Sequence, residues 1–264
     1  MKIRSIIVQA AIYASILSAC GGGDKVEPPI ETQPQLGGIW RGTATDSVSG
    51  LTPRDIVILT TDDGQFRLTS SVAVQAEGTV TLRQDDDDID NLEGSVTAFA
   101  PQGFFFSDGA ETSQCAINAV LLAKSSISGS YSCNNSADPD SGDTGTFTTA
   151  YDSLYDQDSS TTATQGIWAN GELEINIDAD GSIISGQFAN GCVITGGAIS
   201  PIDIDFNLYS LDMTFDLTAP PDGTCAELSG FYTGLAFLDV NSGTKTLTFQ
   251  VDNGTEIFTD ILQQ

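Results

Sequence analysis

The chain has 264 residues, with 9 Lys+Arg against 36 Asp+Glu, a formal charge of −27 and no histidine. That length suits one large β domain or two of roughly 100–130 residues, and a 40% hydrophobic content supplies a core that excludes wholesale disorder. The acidity sets the chain against phosphate backbones, so no nucleic-acid partner is expected, and the missing histidine removes the commonest general base, the Ser-His and Cys-His nucleophile pairs and imidazole metal ligands.

The first residues read as an export signal. Lys2 and Arg4 precede an apolar stretch of 12 residues, Ile6–Leu17, too short to span a hydrocarbon core that needs about 20. Leu17-Ser18-Ala19-Cys20, followed by Gly21-Gly22-Gly23-Asp24, resembles the lipobox of bacterial lipoproteins. The resemblance implies a signal peptide over 1–19, a diacylglycerol thioether on Cys20, and a new amino terminus that is then acylated, as by palmitate. It also implies a membrane partner through this lipid anchor, and Gly21 after the cysteine leans toward the outer membrane. Acyl chains contribute about 0.8 kcal/mol per buried methylene, which makes such an anchor permanent. Removing 1–19 takes away two bases and no acid, leaving 7 against 36, a net −29. A surface of that charge reads as adaptation to salt or as recruitment of divalent cations. Residues 20–36 hold the lipidated cysteine and a Gly- and Pro-rich flexible tether, which reaches about 3.1 Å per residue where extended.

Two similar β domains are expected beyond the tether, over 37–155 and 165–264, with a polar linker at 156–164. Gly38-Ile39-Trp40 recurs as Gly166-Ile167-Trp168, and Asp63-Gly64-Gln65-Phe66 as Asp180-Gly181-Ser182-Ile183. In the first half, Asp55–Thr60 is a continuous apolar run that suits a strand buried on both faces, and Asp63-Gly64 turns it into Gln65–Thr69. Gly78–Leu82, Gly94–Ala100, Ala116–Ala123, Ile127–Cys133 and Thr144–Tyr151 complete its candidate strands. In the second half Leu173, Ile175 and Ile177 alternate with polar residues, as do Tyr209, Leu211, Met213, Phe215 and Leu217, and again Leu247, Phe249 and Val251. Asp180-Gly181 and Asn190-Gly191 supply hairpin turns. The fold class is all-β, as antiparallel sandwiches or small barrels.

Five cysteines divide into Cys20, taken by lipid, and Cys115, Cys133, Cys192 and Cys225. In an oxidising compartment the even remainder pairs, and Cys115–Cys133 with Cys192–Cys225 keeps each bond within its own half. Each loop contributes roughly 3–4 kcal/mol in the chain-entropy model. Free thiols and a four-cysteine zinc site are the alternatives, the latter without any Cys-x-x-Cys spacing.

No cofactor is expected other than calcium, for which Asp85 and Asp87 in one acidic run, and Asp138, Asp140 and Asp143 in another, are the candidate ligands. Asn176–Gly181 resembles the first half of an EF-hand loop, but Gln187 stands at its twelfth position, so it reads as a hairpin. Trp40, Trp168 and Phe104-Phe105-Phe106 are aromatics that line a groove or plug cores; if Phe104–Phe106 is a one-sided strand, at least one ring must be exposed. No phosphate loop, dinucleotide fingerprint or Ser-x-x-Lys pattern is present.

With a Trp motif opening each half and a cysteine pair in each, the chain is similar to uncharacterised two-domain β-rich lipoproteins of Gram-negative bacteria. In architecture it is comparable to surface lipoproteins of the transferrin- or complement-factor-binding type, with no binding residue in common. The resulting expectation is a non-catalytic outer-membrane lipoprotein that binds a protein or glycan or serves as an envelope accessory. The alternatives are a calcium-dependent adhesive module and a carboxylate glycosidase, which needs two carboxyl groups about 5–9.5 Å apart.

Overall fold

Strand after strand places apolar residues on one face and polar residues on the other. In the segment Tyr209–Phe215, for example, Tyr209, Leu211, Met213 and Phe215 are buried and Ser210, Asp212 and Thr214 are not. A sheet with one apolar face buries it by curling onto itself. The computed structural model, which describes residues 35–47, 53–84, 90–101, 104–106, 109–134, 143–216, 230–241 and 243–264, shows that outcome twice. Barrel 1 runs through β1 (Gly38–Asp46), β2 (Arg54–Thr60), β3 (Gln65–Ser70), β4 (Gln75–Gln84), β5 (Asp90–Phe99), β6 (Thr112–Leu122), β7 (Ser126–Asn134) and β8 (Thr144–Tyr151). Barrel 2 runs through β9 (Gly166–Ala169), β10 (Leu173–Ile177), β11 (Ile183–Phe188), β12 (Val193–Pro201), β13 (Tyr209–Phe215), β14 (Gly230–Asp239), β15 (Thr246–Asp252) and β16 (Ile257–Gln263). All neighbours are antiparallel and in chain order, β8 pairs back onto β1, and β16 onto β9. The all-β class therefore takes the form of closed barrels, which leave no unpaired edge. Apolar residues point inward and polar residues outward, the inverse of a membrane-spanning barrel.

The two repeated motifs occupy equivalent places. Trp40 lies in β1 and Trp168 in β9, both fully buried. Trp40 Nε1 donates to Thr60 Oγ1 at 2.9 Å and Trp168 Nε1 to the Thr164 carbonyl at 2.7 Å. Gly64 and Gly181 turn the second strand of each barrel into the third at φ of 92° and 89°. Their carbonyls accept from Val80 and Ile199 N–H in the fourth strands, at 2.8 and 2.9 Å. A Cβ on either glycine would sit 2.2 Å from a backbone oxygen of that strand, so both the turn and the close approach require glycine. The cysteines are not equivalent: Cys115 and Cys133 face each other on β6 and β7, whereas Cys192 precedes β12.

The continuous apolar run of β2 has its explanation in the contact between barrels. Ile56 and Ile58 enter the core of barrel 1. Leu59 points the other way, into a separate cluster with Ile39, Leu154, Tyr155, Leu208, Leu235 and Phe237. β14 does the same from the other side, sending Ala236 and Leu238 into barrel 2 and Leu235 and Phe237 into the shared cluster. The segment 156–164, read from sequence as a polar linker, is pinned by backbone and hydroxyl bonds. Ser159 bonds the Ile204 and Asp203 carbonyls at 2.9 Å each, and Ser160 caps a short helix, α1 (Thr161–Thr164), through Ala163 N–H. Just before it, Tyr155 stacks on Phe206 at 4.8 Å, and the buried Asn207 donates to the Leu154 and Leu238 carbonyls.

Phe104-Phe105-Phe106 is not a strand; it belongs to the connection between β5 and β6. Ala116–Ala123 falls almost wholly within β6, and Asn176–Gly181 is the expected hairpin turn between β10 and β11. Cys20, Cys225, Asp85, Asp87, Asp138 and Asp140 lie outside the described residues.

Candidate ligand cavity in the first barrel

Side-chain volume determines what the inside of an eight-stranded barrel holds, because such a barrel is just wide enough to be filled by side chains or to keep one small ligand. At the end of barrel 1 away from Trp40, small residues occupy inward positions on six of the eight strands: Ala44 on β1, Ser70 on β3, Ala76 on β4, Ala98 on β5, Cys115 on β6 and Cys133 on β7. Together they leave a cavity of about 520 Å³, floored by Phe66, Ile117 and Phe147. The Cys115–Cys133 disulfide forms part of its wall, joining directly opposed residues of two strands. Cys192 is also disulfide-bonded and buried, with its partner outside the described residues.

The mouth is apolar on one side and ionic on the other. Phe106 packs on the core, while Phe104 and Phe105 are 68% and 59% exposed and Val72, at the β3–β4 turn, is exposed beside them. The Phe104–Phe106 segment is held by bonds from Phe104 N–H to the Pro101 carbonyl and from Phe106 N–H to the Ala110 carbonyl, at 2.9 and 2.8 Å. Opposite, Asp46 at the end of β1 accepts from Tyr131 Oη on β7 and pairs with Arg54 at the start of β2. Burial, then the hydrogen bond and charge of Asp46, hold the Tyr131 hydroxyl well above the ordinary phenol range, so it remains a donor. Gly145 on β8 makes room for that ring, since a Cβ there would lie 2.4 Å from Tyr131 Oη. Asp143, half-buried just before β8, completes the rim, and its carbonyl accepts from Cys133 N–H at 2.8 Å.

Of the residues singled out from sequence, the structure brings Phe104, Phe105, Phe106, Cys115, Cys133 and Asp143 to this mouth. It places Trp40 at the opposite end and Trp168 in the other barrel, both as core residues. Asp143 is the one calcium candidate within the described residues, and among those residues no three metal-ligating side chains converge. Asp46, Arg54, Tyr131 and Ser70 went unrecognised in the sequence. Parity offered a faint signal: Asp46 has the inward register of Trp40 and Ala44, and Tyr131 that of Ile127 and Cys133, so each is a polar residue where the pattern calls for an apolar one.

Two closed eight-stranded meanders in tandem, one holding a cavity in its mouth, define a double up-and-down β-barrel protein with an internal cavity. No family model matches the chain, and neither a curated protein nor a solved structure does.

Proposed function

We propose that the protein is a lipid-anchored, non-catalytic binding module of the bacterial outer membrane whose first barrel holds a lipophilic ligand. The cavity of barrel 1 carries this reading: about 520 Å³ falls within the range of small-molecule sites, with an apolar lining and a few convergent polar groups. A glycan suits it less, because its hydroxyls would meet few partners. The lipobox at Cys20 supports the anchor, and the Cys115–Cys133 bond supports an oxidising compartment such as the periplasm or cell surface. The chain enters barrel 1 at the Gly38 end, where Thr60 Oγ1 donates to the Leu36 carbonyl, and the cavity opens at the other end. That polarity suits capture from the surroundings.

The test is a binding titration with an environment-sensitive lipophilic dye, phenylnaphthylamine, on the full chain and on Ala98→Phe. A phenyl ring at position 98 fills the cavity, so the variant should remain folded and lose the dye enhancement seen with the parent chain. A parent chain that fails to bind the dye, or a variant that binds it equally well, would overturn the reading. The exposed rings of Phe104 and Phe105 support a second reading, in which the rim docks a protein partner. In that case Phe104→Ser with Phe105→Ser would abolish complex formation while leaving dye binding in place.

A further inference from the structure

We infer that the molecule held in barrel 1 is a lipophilic amine, with an apolar body in the cavity and an ammonium head at the Asp46–Asp143 side of the mouth. The inference rests on the reading of barrel 1 as a lipophile-binding barrel and adds the chemical class of the head group. Two independent observations carry it.

The first is charge complementarity at the rim. Among the described residues that line the cavity, the charged groups are Asp46, Arg54 and Asp143. Arg54 is paired with Asp46, which leaves the Asp143 carboxylate in excess. An entering carboxylate or phosphate would meet a cation whose charge is already neutralised, and a second carboxylate that repels it. An ammonium meets the reverse arrangement: Asp143 attracts it, and among the described residues Arg54 and Tyr131 both engage the Asp46 carboxylate through one oxygen, Oδ1. Coulomb attraction at a partly buried rim is several times stronger than in bulk water. The chain's charge of −27 biases the approach of ligands in the same direction.

The second observation is Ser70. Its side chain lines the cavity at the end of β3, the residue is 6% exposed, and Oγ has no hydrogen-bond partner among the described residues. Buried hydroxyls in native proteins are almost always paired, so an unpaired one facing a cavity marks where a ligand's polar group reaches. A serine oxygen accepts readily from an N–H donor. Ser70 and the two carboxylates thus provide acceptors on one side of a mouth whose other side is apolar.

Calorimetric titration of the full chain with octylamine, octanol and octanoate tests this, the three probes sharing one tail and differing in head. Octylamine should bind roughly tenfold more tightly than octanol, with octanoate weakest, and the preference for the amine over the alcohol should largely disappear in Asp143→Asn. Ser70→Ala should weaken the amine severalfold while leaving the ligand-free melting temperature unchanged or raised, because it removes a buried unpaired hydroxyl. Octanoate binding as well as or better than octylamine would overturn the inference. If octanol still binds and Ala98→Phe abolishes it, only the head-group assignment falls. If none of the three binds, the reading of the cavity falls with it. Amine binding that persists in Ala98→Phe would assign the affinity to the acidic surface and overturn the inference as well.

Discussion

The two barrels share a frame and differ in what fills them. Each opens with Gly-Ile-Trp, turns its second strand into its third at an Asp-Gly, and closes its eighth strand on its first. At the end away from the tryptophan they part. In barrel 1 the inward positions are Ala44, Ser70, Ala76, Ala98, Cys115 and Cys133, and space remains. In barrel 2 the same end is closed by rings: Phe215 lies 4.9 Å from Tyr232 and 5.9 Å from Phe188, and Phe258 lies 5.4 Å from Phe188 and 5.6 Å from Phe249. Tyr232 Oη, buried with them, donates to Glu256 at 2.8 Å. Turns and periodicity therefore set the barrel, and side-chain volume at a few inward positions sets whether it is a core or a container.

The sharpest way to break this contrast is to hollow the filled barrel. Phe215→Ala removes a ring at the centre of the plug and should cost about 3–5 kcal/mol in denaturant unfolding. Phe104→Ala and Phe105→Ala, at exposed positions of the open mouth, should each stay within about 0.5 kcal/mol of the parent. A plug ring that costs no more than a rim ring would show that the two ends are equally loose.

The next largest effect concerns what makes the pair of barrels one body. Arg67 on β3 is buried between Glu77 of its own barrel, at 3.2 Å, and Asp252 of barrel 2, at 2.5 Å. Thr69 Oγ1 donates to Gln250 Oε1 at 3.0 Å, and Gln250 Nε2 to the Ala76 carbonyl at 3.1 Å. Arg67→Ala leaves two carboxylates facing each other without their cation, a change that costs about 3–5 kcal/mol when such groups are buried. Because the loss falls on the contact between barrels, a single unfolding transition should separate into two. One unchanged transition in Arg67→Ala would mean that the apolar cluster around Leu59, Leu235 and Phe237 holds the barrels together by itself.

How far the sequence reveals this molecule depends on whether a feature is local. The strands Tyr209–Phe215 and Thr246–Asp252 are legible because each residue's face follows from a period of two, and the Asp-Gly turns because glycine alone suits their backbone. β1 and β9 show in the sequence only as motifs, and β14 gives no strand signal, because Leu235-Ala236-Phe237-Leu238 is apolar on both faces and shows no alternation. Its second face is explained only by the neighbouring barrel, a contact between residues far apart in the chain. The cavity is illegible for the same reason. Ala44, Ser70 and Ala98 are unremarkable singly, and they become a site only when closure sets β1, β3 and β5 around one space. Phe104-Phe105-Phe106 was legible as an anomaly, but its role needed the barrel mouth beneath it.

The smallest effect is also the one whose sign is most constrained. Burial first, and the Asp252 charge second, raise Glu77 above its ordinary value of 4.5, with Arg67 offsetting this in part. One guanidinium cannot satisfy two carboxylates that are largely buried beside it, so the second resists ionising. The folded state then holds the Glu77 proton more tightly than the unfolded chain does. Its contribution to stability is fully present below the unfolded value and is lost as pH rises through the raised folded value. Glu77→Gln imitates the protonated form at every pH. The variant should match the parent at acid pH and melt slightly higher at neutral pH, and the gap should open across the range just above the ordinary glutamate value. Subtracting one melting curve from the other removes the titration of the remaining acids, which the two proteins share. A gap that does not change with pH would place the barrel contact's electrostatics on Arg67 and Asp252 alone, with Glu77 a bystander on the wall of barrel 1.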